Sequence, residues 1–136
     1  MMTRRWFANC AICTMTGLIA SGVDANAQTP PPFTRKTLGQ QDFPDDKHVV
    51  LQMLIEVQPN VLVARHTHPG IETTTLLSGS GTLMVKGQAD RVLAPGDGFQ
   101  IPYGVPHALQ CGPTMTRLAG VFAVEKDKPL ATPAPE

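Results

Sequence analysis

Apolar and polar residues alternate along much of the chain. The clearest segment is HVVLQMLIEVQ, residues 48–58, in which every odd position from 49 to 57 is apolar and the even positions include Gln52 and Glu56. Successive side chains on a strand point to opposite faces, so a period of two indicates a strand with one buried face. The segment therefore predicts a half-buried β-strand.

Similar short runs continue to residue 124, and each is bounded by residues that favour turns. They lie at 62–67, 72–77, 82–86, 91–93, 98–101, 107–111 and 114–124. Pro-Asn, Pro-Gly and single glycines separate them, as expected between strands. Eight short strands without a helical period predict an all-β fold, either a sandwich or a barrel, for the mature chain.

Both ends differ from this middle part in composition. We expect residues 28–44, which include three consecutive prolines, to form a proline-rich N-terminal arm, and residues 126–136 to form a proline-rich C-terminal tail. The barrel is accordingly predicted over residues 45–125. Lysine and arginine together number 11, as do aspartate and glutamate. This balance gives no basic surface, so we expect no nucleic-acid partner.

Residues 1–27 have the order of an export signal. Arg4 and Arg5 precede an apolar stretch, which is followed by Ala25-Asn26-Ala27. The order predicts cleavage after Ala27 and a periplasmic or secreted protein without a stable membrane anchor. The start resembles a twin-arginine signal as much as an ordinary Sec-type signal. Cleavage would leave Cys111 as the one cysteine, so we expect no internal disulfide.

The segment RHTHPGIE, residues 65–72, contains a candidate metal site. His66 and His68 are two residues apart, so both would point to the same face of a strand. Pro69 and Gly70 allow a sharp connection, after which Glu72 could return beside the histidines. Two imidazoles and a carboxylate suit a divalent first-row metal. The alternative is a polar turn that holds two histidines without metal.

The chain resembles a small single-domain cupin of the type 2, quercetin-dioxygenase-like, metal-binding kind. The first cupin motif places a glycine, two histidines, a glutamate and a second glycine at fixed spacings. This sequence has Asn60, His66, His68, Glu72 and Gly79 at those positions, with Asn60 in place of the first glycine. Asparagine tolerates positive φ better than most residues, so this departure is mild.

The second cupin motif follows in the expected order. Gly96, Pro102, Gly104 and His107 match it, and Cys111 stands where the motif has asparagine. The resemblance implies a cupin double-stranded β-helix, that is, a jelly-roll barrel. It implies one divalent first-row metal ion held by His66, His68, Glu72 and His107. The fourth histidine, His48, is expected at the surface.

If the twin-arginine signal is the one used, the export route bears on which metal is bound. A site loaded outside the cytoplasm would tend to bind copper or zinc, because affinity rises along the first row. A twin-arginine substrate folds before export, and we therefore favour iron or manganese, with nickel, copper and zinc as alternatives.

Strand parity predicts which side chains line a pocket beside this ion. Parity with Glu72 and His107 points to Thr74, Leu76 and Leu109. Phe99 and Tyr103 are further candidates, with Tyr103 at the mouth. These residues are mostly apolar, which favours an uncharged or aromatic ligand over a polyanion. No further acid, base or nucleophile is placed there by the sequence, so catalytic residues beyond the ligands stay unassigned. Cys111 is expected to be an ordinary buried residue.

Two functions remain open at the level of sequence. The first is a metal-dependent enzyme, a dioxygenase-like oxidoreductase that acts on a small, partly apolar molecule. The alternative is a non-catalytic module that binds metal and a small-molecule ligand. The resemblance also implies a homodimer, formed through a strand near the N-terminal arm.

Overall fold

The computed structural model describes residues 29–136, and the predicted export signal lies outside them. Within this range the chain forms ten strands, and no helix there has the length and hydropathy needed to cross a bilayer. The strands are β1 (Phe33–Asp42), β2 (His48–Val57), β3 (Leu62–Thr67), β4 (Gly70–Ser78), β5 (Gly81–Val85), β6 (Arg91–Leu93), β7 (Gly98–Ile101), β8 (His107–Cys111), β9 (Thr116–Glu125) and β10 (Thr132–Pro133).

The strands form two antiparallel five-stranded sheets. The first sheet has the order β1-β2-β9-β4-β7, and the second has the order β10-β3-β8-β5-β6. Four predicted strands, β3, β6, β7 and β8, have the bounds that the alternation indicated. The predicted all-β double-stranded barrel is confirmed.

The core lies between the two sheets. Its larger cluster joins Val57 and Leu118 of the first sheet to Leu83 and Leu109 of the second. A smaller cluster around Phe122 lies within the first sheet. Each large apolar side chain that leaves water contributes about 1.5 to 3 kcal/mol to folding, so these clusters account for much of the stability. The predicted inner face of β2 supplies buried side chains to both clusters.

Both ends of the barrel extend beyond the predicted range of 45–125. Within the predicted arm, β1 pairs along its length with β2, and within the predicted tail, β10 pairs with β3. An edge strand is held by backbone hydrogen bonds along one side, so its sequence need not alternate between apolar and polar residues. The polar segment FTRKTLGQQD is such a strand, with most of its side chains exposed.

The turn residues of both sequence motifs adopt positive φ. Asn60 has a φ of 61°, in the left-handed region that asparagine tolerates. Gly79, Gly96 and Gly104 also have positive φ, between 68° and 94°. The motif spacings therefore reflect where the chain must turn between strands, as well as where the histidines lie.

Candidate metal centre

Three histidines and one glutamate meet between the two sheets. His66 lies on β3, His68 directly follows β3, and His107 begins β8. Their ligand nitrogens all lie within 4.8 Å of one another. Glu72 reaches them from β4 in the opposite sheet, and its Oε2 is 3.1 Å from Nε2 of both His68 and His107. The structure thus brings together all four predicted ligands.

A β-bulge in β3 aims the histidines at this centre. Val63 pairs with Leu109 and His66 pairs with His107, so β3 has one more residue than β8 between these pairs. Val63 already faces the interior, and strict alternation would place Arg65 on that face. The extra residue reverses the alternation, so His66 shares a face with His107.

Each imidazole is oriented by a hydrogen bond from Nδ1 to a backbone carbonyl. A carbonyl oxygen only accepts, so Nδ1 carries the hydrogen and Nε2 of the neutral ring is left with a lone pair. The three pairs are His66 with Ala64 at 2.7 Å, His68 with Leu130 at 2.5 Å and His107 with Val105 at 3.0 Å.

This arrangement fits a bound cation. The lone pairs on Nε2 of His68 and His107 face a carboxylate oxygen of Glu72 at 3.1 Å, so two acceptors meet without a hydrogen between them. Either a proton or a metal ion must balance that contact. Imidazole nitrogens and a carboxylate oxygen suit divalent first-row metals. The three histidines, assisted by Glu72, could therefore hold the metal ion that the sequence predicts.

The protonation states of His66 and Glu72 also favour metal binding at neutral pH. Burial lowers the pKa of His66 from 6.5 to about 4, so this imidazole is neutral at pH 7. Burial alone would raise the pKa of the Glu72 carboxyl. When protons on Nε2 of His107 and His68, rather than a metal ion, balance the contact, the hydrogen bonds that they donate to the carboxylate oppose this effect. Together with the hydrogen bond from Thr74, these contacts hold the pKa of Glu72 well below its usual range. Glu72 is therefore a charged ligand group.

Thr74 holds the second oxygen of this carboxylate. Its hydroxyl donates to Glu72 Oε1 at 2.6 Å, and its side chain is buried. We expect Thr74→Val, which keeps the shape and removes the donor, to weaken metal binding by about tenfold, as is typical when a ligand loses its supporting hydrogen bond. Competition with a chromogenic chelator measures this. Thr75→Val, at the exposed neighbouring position, should bind as the wild type does, and equal affinity in both variants would contradict the assignment.

An inner cavity of about 50 Å³ opens beside the histidines. This volume holds roughly four water molecules. Apart from the four predicted ligands, Thr74 and Arg35, its walls are apolar. The apolar residues are Phe33, Ile55, Val57, Val63, Leu83, Phe99, Leu109, Leu118 and Phe122.

Three of the five predicted pocket residues line this cavity, namely Thr74, Phe99 and Leu109. Leu76 faces inward but packs in the larger core cluster, because it is four residues, or about 13 Å, along β4 from Glu72. The prediction for Tyr103 is corrected. Its side chain is 57% exposed, and its hydroxyl donates to Glu125 Oε2 at 2.6 Å, away from the cavity. Tyr103 lies in a turn, where strand parity does not apply.

Two other side chains lie where the sequence places them. Cys111 is buried in the larger core cluster, and burial raises the pKa of its thiol. His48 is at the surface, where its Nδ1 lies 2.5 Å from Asp45 Oδ2. Neither residue belongs to the metal centre.

The sequence did not point to three contributions from the chain ends. Phe33 and Arg35 of β1 line the cavity, and the carbonyl of Leu130 orients His68. The first two become clear once the register of β1 against β2 is known, since Phe33 pairs with Val57 and Arg35 with Ile55. Directly opposite residues in a sheet share a face. A backbone carbonyl leaves no comparable signal in the sequence.

Comparison with known proteins agrees with this architecture. A family model described as "Cupin domain" matches residues 53–117. No curated protein matches the chain.

Several solved structures are similar in fold to this chain. DMSP lyase DddQ from Ruegeria pomeroyi is 23% identical with a TM-score of 0.62, and the match covers 76% of this chain and 52% of that one. The chain thus spans about half the length of the lyase. The polyketide cyclase RemF from Streptomyces resistomycificus is 26% identical with a TM-score of 0.59, over 77% of this chain and 72% of that one. An RmlC-like cupin from Shewanella frigidimarina is 24% identical with a TM-score of 0.58, over 71% of this chain and 79% of that one.

Proposed function

The chain belongs to the cupin superfamily as a small single-domain cupin, and from this premise we propose that it is a metal-dependent, dioxygenase-like enzyme that acts on a small, partly apolar molecule. One observation carries the proposal. Three clustered imidazoles each have Nδ1 engaged by a backbone carbonyl, and Nε2 of His68 and His107 lies 3.1 Å from the charged Glu72 beside an apolar cavity. Similar structures include a protein named a lyase and one named a cyclase, which supports chemistry at such a site without specifying the reaction.

The residues of the chain would divide the work at this site. His66, His68, His107 and Glu72 would hold the ion, which when bound supplies Lewis-acid or redox chemistry. The carbonyls of Ala64, Leu130 and Val105 fix the three rings, so little reorganisation is needed on ligation. The apolar walls lower the local dielectric constant and so strengthen electrostatic interactions inside.

The cavity limits the size of the substrate. Sites for drug-sized ligands measure about 300 to 1,000 Å³, whereas this inner cavity measures about 50 Å³. A fused multi-ring compound does not fit beside the histidines without rearrangement. The proposed substrate therefore places only a few non-hydrogen atoms next to the ion.

The second candidate is a non-catalytic module that binds metal and a small molecule. One observation favours it. Among the described residues that line the inner cavity, Thr74 and Arg35 are the polar groups beyond the ligands, and neither is a general acid or base at neutral pH.

Oxygen uptake distinguishes the two functions. The protein is loaded with Fe(II) or Mn(II) and tested against a panel of small aliphatic and phenolic compounds, with His107→Ala as the variant that lacks one ligand. We expect uptake with at least one compound, with a product detected by mass spectrometry, and loss of uptake in the variant. Binding of panel compounds without uptake or product would instead support the module.

We further propose that the ion is iron or manganese and that the protein is periplasmic, on the basis of the sequence before Gln28. Elemental analysis and cell fractionation test these two proposals. A homodimer through the exposed edge of β1 is also proposed, because an unpaired edge offers backbone groups to a second chain. Light scattering of the purified protein tests it.

A further inference from the structure

Arg35 lies on the inner face of the edge strand, and its side chain is exposed at the rim of the barrel. It pairs with Ile55 across the β1–β2 ladder, and Ile55 lines the inner cavity. Directly opposite residues lie on the same face of a sheet, so Arg35 shares this face. Its neighbour Lys36 pairs with Leu54 and lies on the outer face. Of these two adjacent cations, only Arg35 reaches the site.

Arg35 lies where two cavities join. The inner cavity contains the histidines, and an outer, more open cavity of about 200 Å³ lies beside it. Both are lined by Phe33, Arg35, Val63 and His66. A molecule that occupies both cavities would therefore lie beside the guanidinium group.

The charge of Arg35 is available to a ligand. Within residues 29–136, its guanidinium makes no ion pair or hydrogen bond with another side chain, whereas Arg65, which also lines the outer cavity, pairs with Glu136 at 3.4 Å. The Cζ atom of Arg35 lies 5.0 Å from the centre of the Phe33 ring, a cation–π contact that limits its motion. A guanidinium beside apolar walls attracts a carboxylate, which it can bind through two parallel hydrogen bonds.

We propose, on the basis of the function proposed above, that the ligand is a small organic acid. Its carboxylate pairs with Arg35 at the junction, and its short apolar part enters the inner cavity toward His66 and His107. The apolar walls accept that part, and the inner volume of about 50 Å³ restricts it to a few non-hydrogen atoms. The position of Arg35 therefore favours an anionic ligand over the uncharged ligand expected from the apolar pocket candidates alone.

The test compares butanoate with butanamide, which have nearly the same shape and differ in charge. Binding of each is measured by NMR titration of the isotopically labelled protein as purified, and the metal content of each sample is determined. The variants are Arg35→Gln, which removes the charge at the junction, and Lys36→Gln, which removes an adjacent charge on the outer face. Because a carboxylate can also ligate a metal, the comparison of variants is decisive.

We expect wild type and Lys36→Gln to prefer butanoate, and Arg35→Gln to bind it about three- to tenfold more weakly with little change for butanamide. This range lies between an exposed ion pair and a buried charge-assisted hydrogen bond. An unchanged preference in Arg35→Gln, or no butanoate binding at millimolar concentration, would overturn the inference. If the purified wild type contained no metal, this would instead count against the proposed metal-dependent enzyme. The failure of the inference and the failure of the proposed function are therefore distinguishable.

Discussion

Replacing both His66 and His68 with alanine should reduce bound metal from about one equivalent to less than ~0.1. The double variant keeps only His107 and Glu72, and two ligands hold a divalent ion far more weakly than four. Elemental analysis after dialysis against a weak chelator measures the difference. The loss should exceed that of Thr74→Val, because a ligand is removed rather than its support.

His48→Ala is the matched control for this experiment. His48 pairs with Asp45 at the surface, away from the three clustered histidines. Its replacement should therefore leave the metal content unchanged. Equal metal in the wild type and the double variant would show that the ion binds elsewhere, and the assignment of the centre would be wrong.

The sequence predicted the parts of the site that follow from local spacing. His66 and His68 share a face because they are two residues apart, and Glu72 returns after the Pro69-Gly70 connection. Strand alternation predicted most of the barrel for the same reason, since each buried face repeats every second residue. The match to two motifs then placed His107 opposite the first histidine pair.

The parts that the sequence did not predict depend on contacts between distant segments. The bulge between Val63 and His66 becomes visible only from the register of β3 against β8. The role of Arg35 depends on β1. The sequence of this strand is mostly polar and does not alternate with apolar residues, because backbone hydrogen bonds to β2, rather than buried side chains, hold it in place. Tyr103 was misplaced because it lies in a turn, where no strand alternation fixes the direction of a side chain.

Gly70→Ala should lower the free energy of unfolding by about 3 kcal/mol, at the upper end of the usual cost of overpacking. A Cβ atom at this position would lie 2.0 Å from the carbonyl oxygen of Ala123 and 2.6 Å from Cα of Val124. Both atoms belong to the backbone of β9, which cannot rotate away as a side chain can. The strands must separate, so we expect a large shift in the urea midpoint of the metal-free protein.

The same substitution should also weaken metal binding, because Gly70 lies two residues after His68 and two before Glu72. Gly98→Ala in β7 is the control. Its Cβ would lie 3.6 Å from the nearest atom, the carbonyl oxygen of Thr74, and should leave stability unchanged or raise it by up to about 1 kcal/mol. Equal stability of the two variants would mean that β4 and β9 separate at little cost. If Gly70→Ala is destabilised but retains full metal affinity, the close contact stabilises the barrel without positioning its ligands.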